Sequence, residues 1–452
     1  MELENGLGTT VKKYLIRGGG WALSGKIINA VMGLLLFTQL SRLLSPIDMG
    51  LYFLALNFAT FFSIFSRMGL ENTLLRFVSE AMSRGDHECA RLVIKKGVQL
   101  SIYSTGIVVV ALNSNFWVWL SVDVLHSKSL SEIGFYISIW VVFISYRIIY
   151  SDIFRAFQDI RNAVLWGGLV SAIGIVSIIT ILKLVIDQVT LVGVLAVVLS
   201  VGWMGWVISS WVLLKKIKLL SNQYSSYKYD SIGIFNHSWP LFINTLTLFV
   251  LSQSDLWIVG MFCTQEEVAV YGASTRLVIL TSMTLNVVNA VIPPLVSRLY
   301  DRSNPHELEV LLRKVATIAA VPAVGILGIY VFASDWVMGF VFSERYYSGG
   351  VFLLILSFGQ LVNVLVGSCG YTLIMTGHRK VLMCISIFSS LVAVLSGLLL
   401  VNIFGAIGVA IGFSTGMVIQ QVLMLISARM YCGIWTHVDF QYLVTPIKSR
   451  LG

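Results

Sequence analysis

The sequence predicts an all-α integral membrane protein of twelve transmembrane helices, arranged as two six-helix bundles related by a parallel repeat. Composition is the first observation behind this. Of 452 residues, 57% are hydrophobic and 12% are charged, and the mean hydropathy is +0.86. A soluble domain carries about 25% charged residues, so lipid must solvate most of this chain. The second observation is a series of apolar segments, each near the roughly 20 residues that cross a bilayer. The third is an internal echo: Tyr52, His87-Glu88, Lys95 and Arg161 recur as Tyr271, His306-Glu307, Lys314 and Lys380 at one offset of 219 residues. An even number of helices per repeat gives both halves the same orientation, the arrangement of many transporters.

In chain order, the polar stretch Met1–Arg17 precedes a long apolar run with no small-residue cleavage pattern, so no removable signal is expected there. Expected spans follow at 20–41, 51–70, 97–120, 133–151, 164–186 and 190–213 in the first half. Those of the second half are 236–260, 267–296, 315–334, 350–374, 381–403 and 406–428. The seventh holds Pro240 and the eighth Pro293-Pro294, the least regular of the set. The domain boundaries expected from this are an N-terminal bundle 1–213, a cytoplasmic linker 214–235, a C-terminal bundle 236–428 and a cytoplasmic tail 429–452. The longest inner loops are expected at Glu71–Lys96 and Lys215–Phe235, and the longest outer ones at Ser121–Glu132 and Ser334–Gly350. Gly408, Gly412 and Gly416 repeat at four-residue spacing on the last span, which allows a close helix approach.

Charge placement orients the chain. Of 31 Lys and Arg, 23 fall on one side: around Lys12 and Arg17, from Arg76 to Lys96, at Arg155 and Arg161, from Lys215 to Lys228, from Arg298 to Lys314, at Arg379-Lys380, and from Arg429 to Arg450. Four fall on the other side, so both termini are expected in the cytoplasm. The net charge of +9 is thus topology and not a nucleic-acid footprint. Cys89, Cys263, Cys369, Cys384 and Cys432 lie far apart without a CxxC, which gives neither a zinc spacing nor a disulfide framework. Gly20 to Lys26 matches GxxxxGK, but Ile27 stands where a phosphate-binding loop needs Ser or Thr, and no strand precedes it. No cofactor or metal is expected, and no catalytic set of Ser, His and Asp is evident, so the chain is not expected to be an enzyme.

The four remaining cations, Lys26, Arg67, Arg147 and Arg276, lie within spans. A cation at a helix centre costs about 2.5–3.5 kcal/mol on insertion scales, so each must face the interior or snorkel. Lys26 is close enough to the cytoplasmic end of its span to snorkel. Arg67 has Glu71 one turn on, so an i,i+4 pair is available. Arg147 lies near the inner end of its helix, above Asp152 and Arg155. Arg276 and Asp255 lie at similar depths on adjacent helices, so they can pair across the hairpin. Among polar neutral residues, Asn57, Asn244, Asn286, Asn289, Gln360, Asn363, Gln420 and Gln421 are amides within spans. Each can line a cavity or link helices. Trp203, Trp206 and Trp211 suit interfacial anchoring.

Several stretches resemble the polysaccharide transporters, or lipid-linked oligosaccharide flippases, of the multidrug/oligosaccharidyl-lipid/polysaccharide (MOP) exporter superfamily. They are LLSPIDMGLYFLALNFATFFSIFSRMGLENTLLRFVSEA (Leu43–Ala81), WPLFINTLTLFVLSQSDLWIVGMFCTQEEVAVYGASTRL (Trp239–Leu277), DIFRAFQDIRN (Asp152–Asn162) and FSERYYSGGVFLLILSFGQ (Phe342–Gln360). The resemblance spans nearly the whole chain, although no single motif is diagnostic. It implies the MATE-like MOP fold and a flippase that moves an undecaprenyl-diphosphate-linked repeat unit of O-antigen, capsule or exopolysaccharide between leaflets of a bacterial cytoplasmic membrane. It leaves room for partner proteins of polysaccharide assembly in the same bilayer. On this reading Lys26, Arg67 and Arg147 capture the diphosphate from the inner leaflet and Arg276 receives it later. Asp255 and Glu71 serve as ion-pair or coupling carboxylates. An ion-coupled drug exporter of the same superfamily is the alternative, and a polysaccharide polymerase or ligase a more distant one. The former needs carboxylates in its cavity and the latter a large outer loop.

Overall fold

The computed structural model describes residues 2–185, 189–218, 231–289 and 305–439, with single positions at 292, 296, 299 and 441. Pro293-Pro294 and the cations Lys228, Arg298, Arg302, Lys448 and Arg450 lie outside the described residues. Within them the secondary structure is helical, without strands. Over the described residues, each of the twelve expected spans is largely helical. The first lies inside α1, Glu2–Leu43, and among the described residues eleven other helices are long and apolar enough to cross a membrane. The chain divides into two compact units, Met1–Leu246 and Thr247–Gly452.

In the first unit α1 is followed by α2 (Pro46–Arg67), α3 (Leu70–Ser83), α4 (His87–Leu112), α5 (Gly134–Ala156), α6 (Ile160–Val185) and α7 (Leu191–Lys218). The first part of α8 (Ser231–Gln253) also belongs here. α5 is central: it packs on α2, α3, α4 and α7. α2 begins with a strong start signal. Ser45 accepts a hydrogen bond from the backbone N–H of Asp48 and Pro46 occupies the first turn. It ends abruptly, because Met68 and Gly69 both turn left-handed, with φ of 47° and 75°. Gly69 is needed twice over. A side chain there would be strained at that φ, and its Cβ would run into the backbone of α8 at Ser238 O and Phe242 N.

The inner loop expected from Glu71 to Lys96 is instead helical: α3 fills its first half and α4 starts at His87. Leu70, Leu74, Phe77, Val78 and Ala81 recur at helical spacing and are all buried, while Arg76 and Arg84 are exposed. Burial of each large member of this stripe contributes about 1.5–3 kcal/mol. The outer loop expected at Ser121–Glu132 likewise contains a π-helical turn, Trp119–Val124, and a short helix, Lys128–Glu132.

The turn between α5 and α6 is tied to the end of α7 through Asp159. Its carboxylate accepts from Lys216 Nζ at 2.5 Å and from the Asn162 side chain at 2.9 Å. Burial pushes the Asp159 carboxyl up, but the bonds from Lys216 and Asn162 outweigh this and hold it below its ordinary value. A depressed carboxyl contributes stability above its unfolded value, about 3.9, and loses it as pH falls through the lower folded value. Asp159→Asn is therefore expected to cost about 1 kcal/mol at neutral pH. Thermal unfolding of wild type and variant from pH 7 downward should show the gap closing below about pH 4. A gap that persists in acid would show that the carboxylate charge is not its source.

The second unit holds the end of α8, then α9 (Asp255–Phe262), α10 (Gln265–Val288), α11 (Pro305–Val341), α12 (Gly350–Val366), α13 (Cys369–Met375), α14 (Arg379–Phe404) and α15 (Ala406–Cys432). The outer loop expected from Ser334 begins inside α11, which runs on to Val341. α12 is central, packed on α10, α11 and α15. The glycine ladder lies where expected: a Cβ at Gly412 would be 2.5 Å from Gly397 N on α14, and one at Gly416 2.5 Å from Ala393 Cβ. Each unit also repeats the internal packing of the other. Tyr52 and Tyr271 are both fully buried and meet an aromatic ring of the central helix, Trp140 on α5 and Phe352 on α12 respectively. The N-caps repeat too. Thr264 and Glu267, at the offset of Ser45 and Asp48, form a capping box in which Thr264 N donates to Glu267 at 2.9 Å.

Candidate functional site: a polar cavity in the second unit

Four segments of the second unit converge on a cavity of about 420 Å³. α10 contributes the adjacent Thr275 and Arg276, then Ile279, Ser282 and Asn286 at steps of three or four residues along one face. α12 contributes Leu356, Gln360 and Asn363 on the same principle, and α15 adds Phe413, Ser414 and Met417. The end of α8 and the start of α9 supply Ser252, Gln253 and Asp255. The polar groups are partly pre-arranged: Asn363 Nδ2 donates to Gln360 Oε1 at 3.2 Å. Three of the amides singled out in the sequence therefore meet a guanidinium in one chamber.

Asp255 is on the wall of this chamber, and its charge acts on Arg276. Its carboxylate is held by other groups as well: Tyr271 Oη donates to Oδ2 at 3.0 Å and the Leu256 N–H to Oδ1 at 2.9 Å. Tyr271 is the partner that sequence reasoning missed, having marked it only as the repeat of Tyr52. Two of the other amides link helices. Ser368 donates to Asn289 Oδ1 at 2.6 Å, and Gln420 Nε2 donates to Ser386 at 3.2 Å. A second cavity, of about 460 Å³, is almost wholly apolar and lies among α11, α12 and α15. Ser414 borders both chambers and donates to Ile355 O at 2.9 Å.

The cations of the first unit are placed differently. Arg67 is 6% exposed at the end of α2. Its Nη1 meets Glu71 Oε1 at 2.9 Å, and its Nε donates to Ser63 O at 3.1 Å. The i,i+4 pair available in the sequence is thus formed and buried, and it clamps the α2–α3 break. Arg147, on α5, lines a small cavity of about 50 Å³ with Trp166 and Trp206. Lys26 is exposed on α1 and lines none of these cavities. Trp203 and Trp211 are exposed as anchoring requires, and Lys215 Nζ stands 3.4 Å over the Trp211 ring, but Trp206 turns inward. Among the described residues, no group of three or more His, Cys, Asp or Glu is placed to hold a metal ion.

Comparison with known proteins gives a consistent set of likenesses. The profile of a family described as polysaccharide biosynthesis protein matches residues 15–300, and that of the MatE family matches residues 240–399. A probable low-salt glycan biosynthesis flippase, Agl15 of Haloferax volcanii, is 26% identical over 216 residues. That match spans 46% of this chain and 44% of the relative, so the chain aligns with less than half of that protein's length. In fold, the chain is similar to an inward-facing multidrug resistance MATE transporter of the MOP superfamily, with a TM-score of 0.69 and 16% identity over 90% of this chain and 94% of that one. It is similar to the lipid II flippase MurJ in an inward closed conformation, with a TM-score of 0.62 and 17% identity over 90% and 87%. A MOP superfamily transporter from Pyrococcus furiosus, described as having a binding pocket of reverse polarity, gives 0.65 and 16% over 93% and 96%.

Proposed function

The chain belongs to the polysaccharide biosynthesis protein family, and from that premise we propose that it is a flippase for a lipid-linked glycan. The observation that carries the proposal is the chamber around Arg276 with its apolar neighbour. An Arg fork suits a diphosphate. The surrounding amides and hydroxyls suit a glycan, and the apolar cavity across Ser414 suits the first isoprene units of the carrier. The finer assignment is an undecaprenyl-diphosphate-linked repeat unit of a surface polysaccharide, carried outward across a cytoplasmic membrane with both termini inside. The charge bias of the loops supports that orientation. A drug exporter would need a carboxylate available to a cationic substrate. Asp255 already accepts bonds from Tyr271 and Leu256, which favours the anionic cargo.

The test is a deletion strain scored for surface polysaccharide and for lipid-linked repeat units. Loss of the former with build-up of the latter on the cytoplasmic side is the expected result, reversed by the wild-type gene. Normal surface polysaccharide without accumulation would overturn the proposal.

A further inference from the structure

We propose that residues 433–439, which follow α15, form a pH-sensitive latch that pins the chamber wall α12 to α11 while His437 is neutral and lets go when His437 is protonated. Gly433, at a φ of 74°, ends α15. The strap after it is held down firmly, with Ile434 1% exposed and Thr436 fully buried. It caps a helix that cannot cap itself. The last carbonyls of a helix have no partner within it. Here Thr436 Oγ1 donates to Val366 O at 2.8 Å, and the Val438 N–H donates to Leu365 O at 2.8 Å. At the joint of α12 with α13, Gly367 has a φ of 79°, and a Cβ there would lie 2.6 Å from Thr436 O. The strap is also bound to α11. Asp439 N donates to Thr317 Oγ1 at 3.0 Å, and the Asp439 carboxylate pairs with Arg313 Nη2 at 2.9 Å. The capped carbonyls lie within one turn of Asn363, which lines the chamber and whose own carbonyl accepts from the Gly367 N–H at 3.2 Å.

His437 is the switch. Its Nε2 stands 3.3 Å from Arg313 Nη2. A guanidinium only donates, so Nε2 accepts and the ring in the latch is neutral. A proton on Nε2 would replace that bond with a second cation facing the first. Among the described residues, the charges that act on His437 are Arg313 and Glu309 on α11 and Asp439 on the strap. Leu365, Val366 and Gly367 carry no titratable group. Burial, and then Arg313, hold the ring below its ordinary value, against the pull of the two carboxylates. A released strap takes up a proton at about pH 6.5 and the latched one only at lower pH, so acid favours release. The latch is closed at neutral pH and weakens as pH falls below about 6.5 on the side of the membrane that carries the C-terminus. It is independent of the nature of the cargo.

The test is hydrogen exchange of the full-length protein in nanodiscs, corrected for the intrinsic pH dependence of exchange. From about pH 7.5 to about pH 5.5, protection of the Gly367, Val438 and Asp439 amides is expected to fall about three- to tenfold, tenfold being the ceiling for one group that ordinarily titrates near 6.5. Protection in α10 and α14 is expected to hold. His437→Gln retains an acceptor but does not titrate, and it is expected to abolish the pH effect. His437→Asn carries the same test if His437→Gln fails to fold. Unchanged protection in wild type would overturn the proposal and leave the strap a fixed cap. A fall spread over the whole second unit would overturn it as general unfolding in acid. A fall that persists in the variant would overturn it too, by assigning the titration to another group.

Discussion

Arg276→Ala is expected to reduce flipping by about 30-fold with little loss of folded protein. The estimate follows from removing a charge-assisted contact worth about 2 kcal/mol to a phosphate, at 1.4 kcal/mol per tenfold. The fold should tolerate the change because the nearest carboxylate does not depend on Arg276 alone. Asp255 keeps its bonds from Tyr271 Oη and the Leu256 N–H. Arg276→Lys preserves the charge without the planar fork, so an intermediate rate is expected. The measurement is transport of a lipid-linked glycan into or out of reconstituted vesicles, normalised to protein. Wild-type rates in Arg276→Ala would remove the diphosphate from this chamber. Asn363→Leu and Gln360→Leu serve as companions. If the amides meet the sugar, each should weaken transport less than Arg276→Ala, since a neutral hydrogen bond contributes about half as much as a charged one.

The fold was largely legible because hydropathy reports directly on which segments lipid can accept, and the described part of every expected span is largely helical. What escaped was structure that depends on a balance within a short stretch. α3 was read as loop because its charges, from Glu71 through Arg76 to Arg84, dominate the composition, although Leu70, Leu74, Phe77 and Ala81 already carried a helical period. The matching caps at Ser45 and Thr264 were also present in the sequence, at the offset of the other repeats, and would have strengthened the duplication. The site was legible only as a list of candidates. Spacing along α10 and α12 could place Arg276, Asn286, Gln360 and Asn363 on helix faces, but which faces meet depends on packing between helices. The bond from Tyr271 to Asp255 crosses from one helix to the next for the same reason. The cations of the first unit show the limit most clearly. Lys26, Arg67 and Arg147 look equivalent as intramembrane charges, yet one is exposed, one is paired and one lines a small cavity.

Arg67→Ala is expected to deplete the protein from the membrane, and for a reason distinct from cargo. Both side chains of the Arg67–Glu71 pair are only 7% exposed. Removing one member leaves the other charge buried, at a cost of about 3–5 kcal/mol, against a total stability of roughly 5–15 kcal/mol for a folded protein. Glu71→Ala should do the same, leaving the guanidinium its bond to Ser63 O but no paired carboxylate. Removing both charges should behave differently. Replacing a buried pair with apolar groups of similar volume is often neutral or stabilising, so Arg67→Met combined with Glu71→Leu is expected to restore the amount of protein. Each single variant and the double one can be compared by quantitative immunoblot of membranes, with transport measured at matched protein levels. If the pair only clamps the α2–α3 break at Met68-Gly69, the double variant recovers transport along with abundance. If abundance returns and transport does not, the guanidinium itself meets the cargo, and the buried pair must open during each cycle to release it.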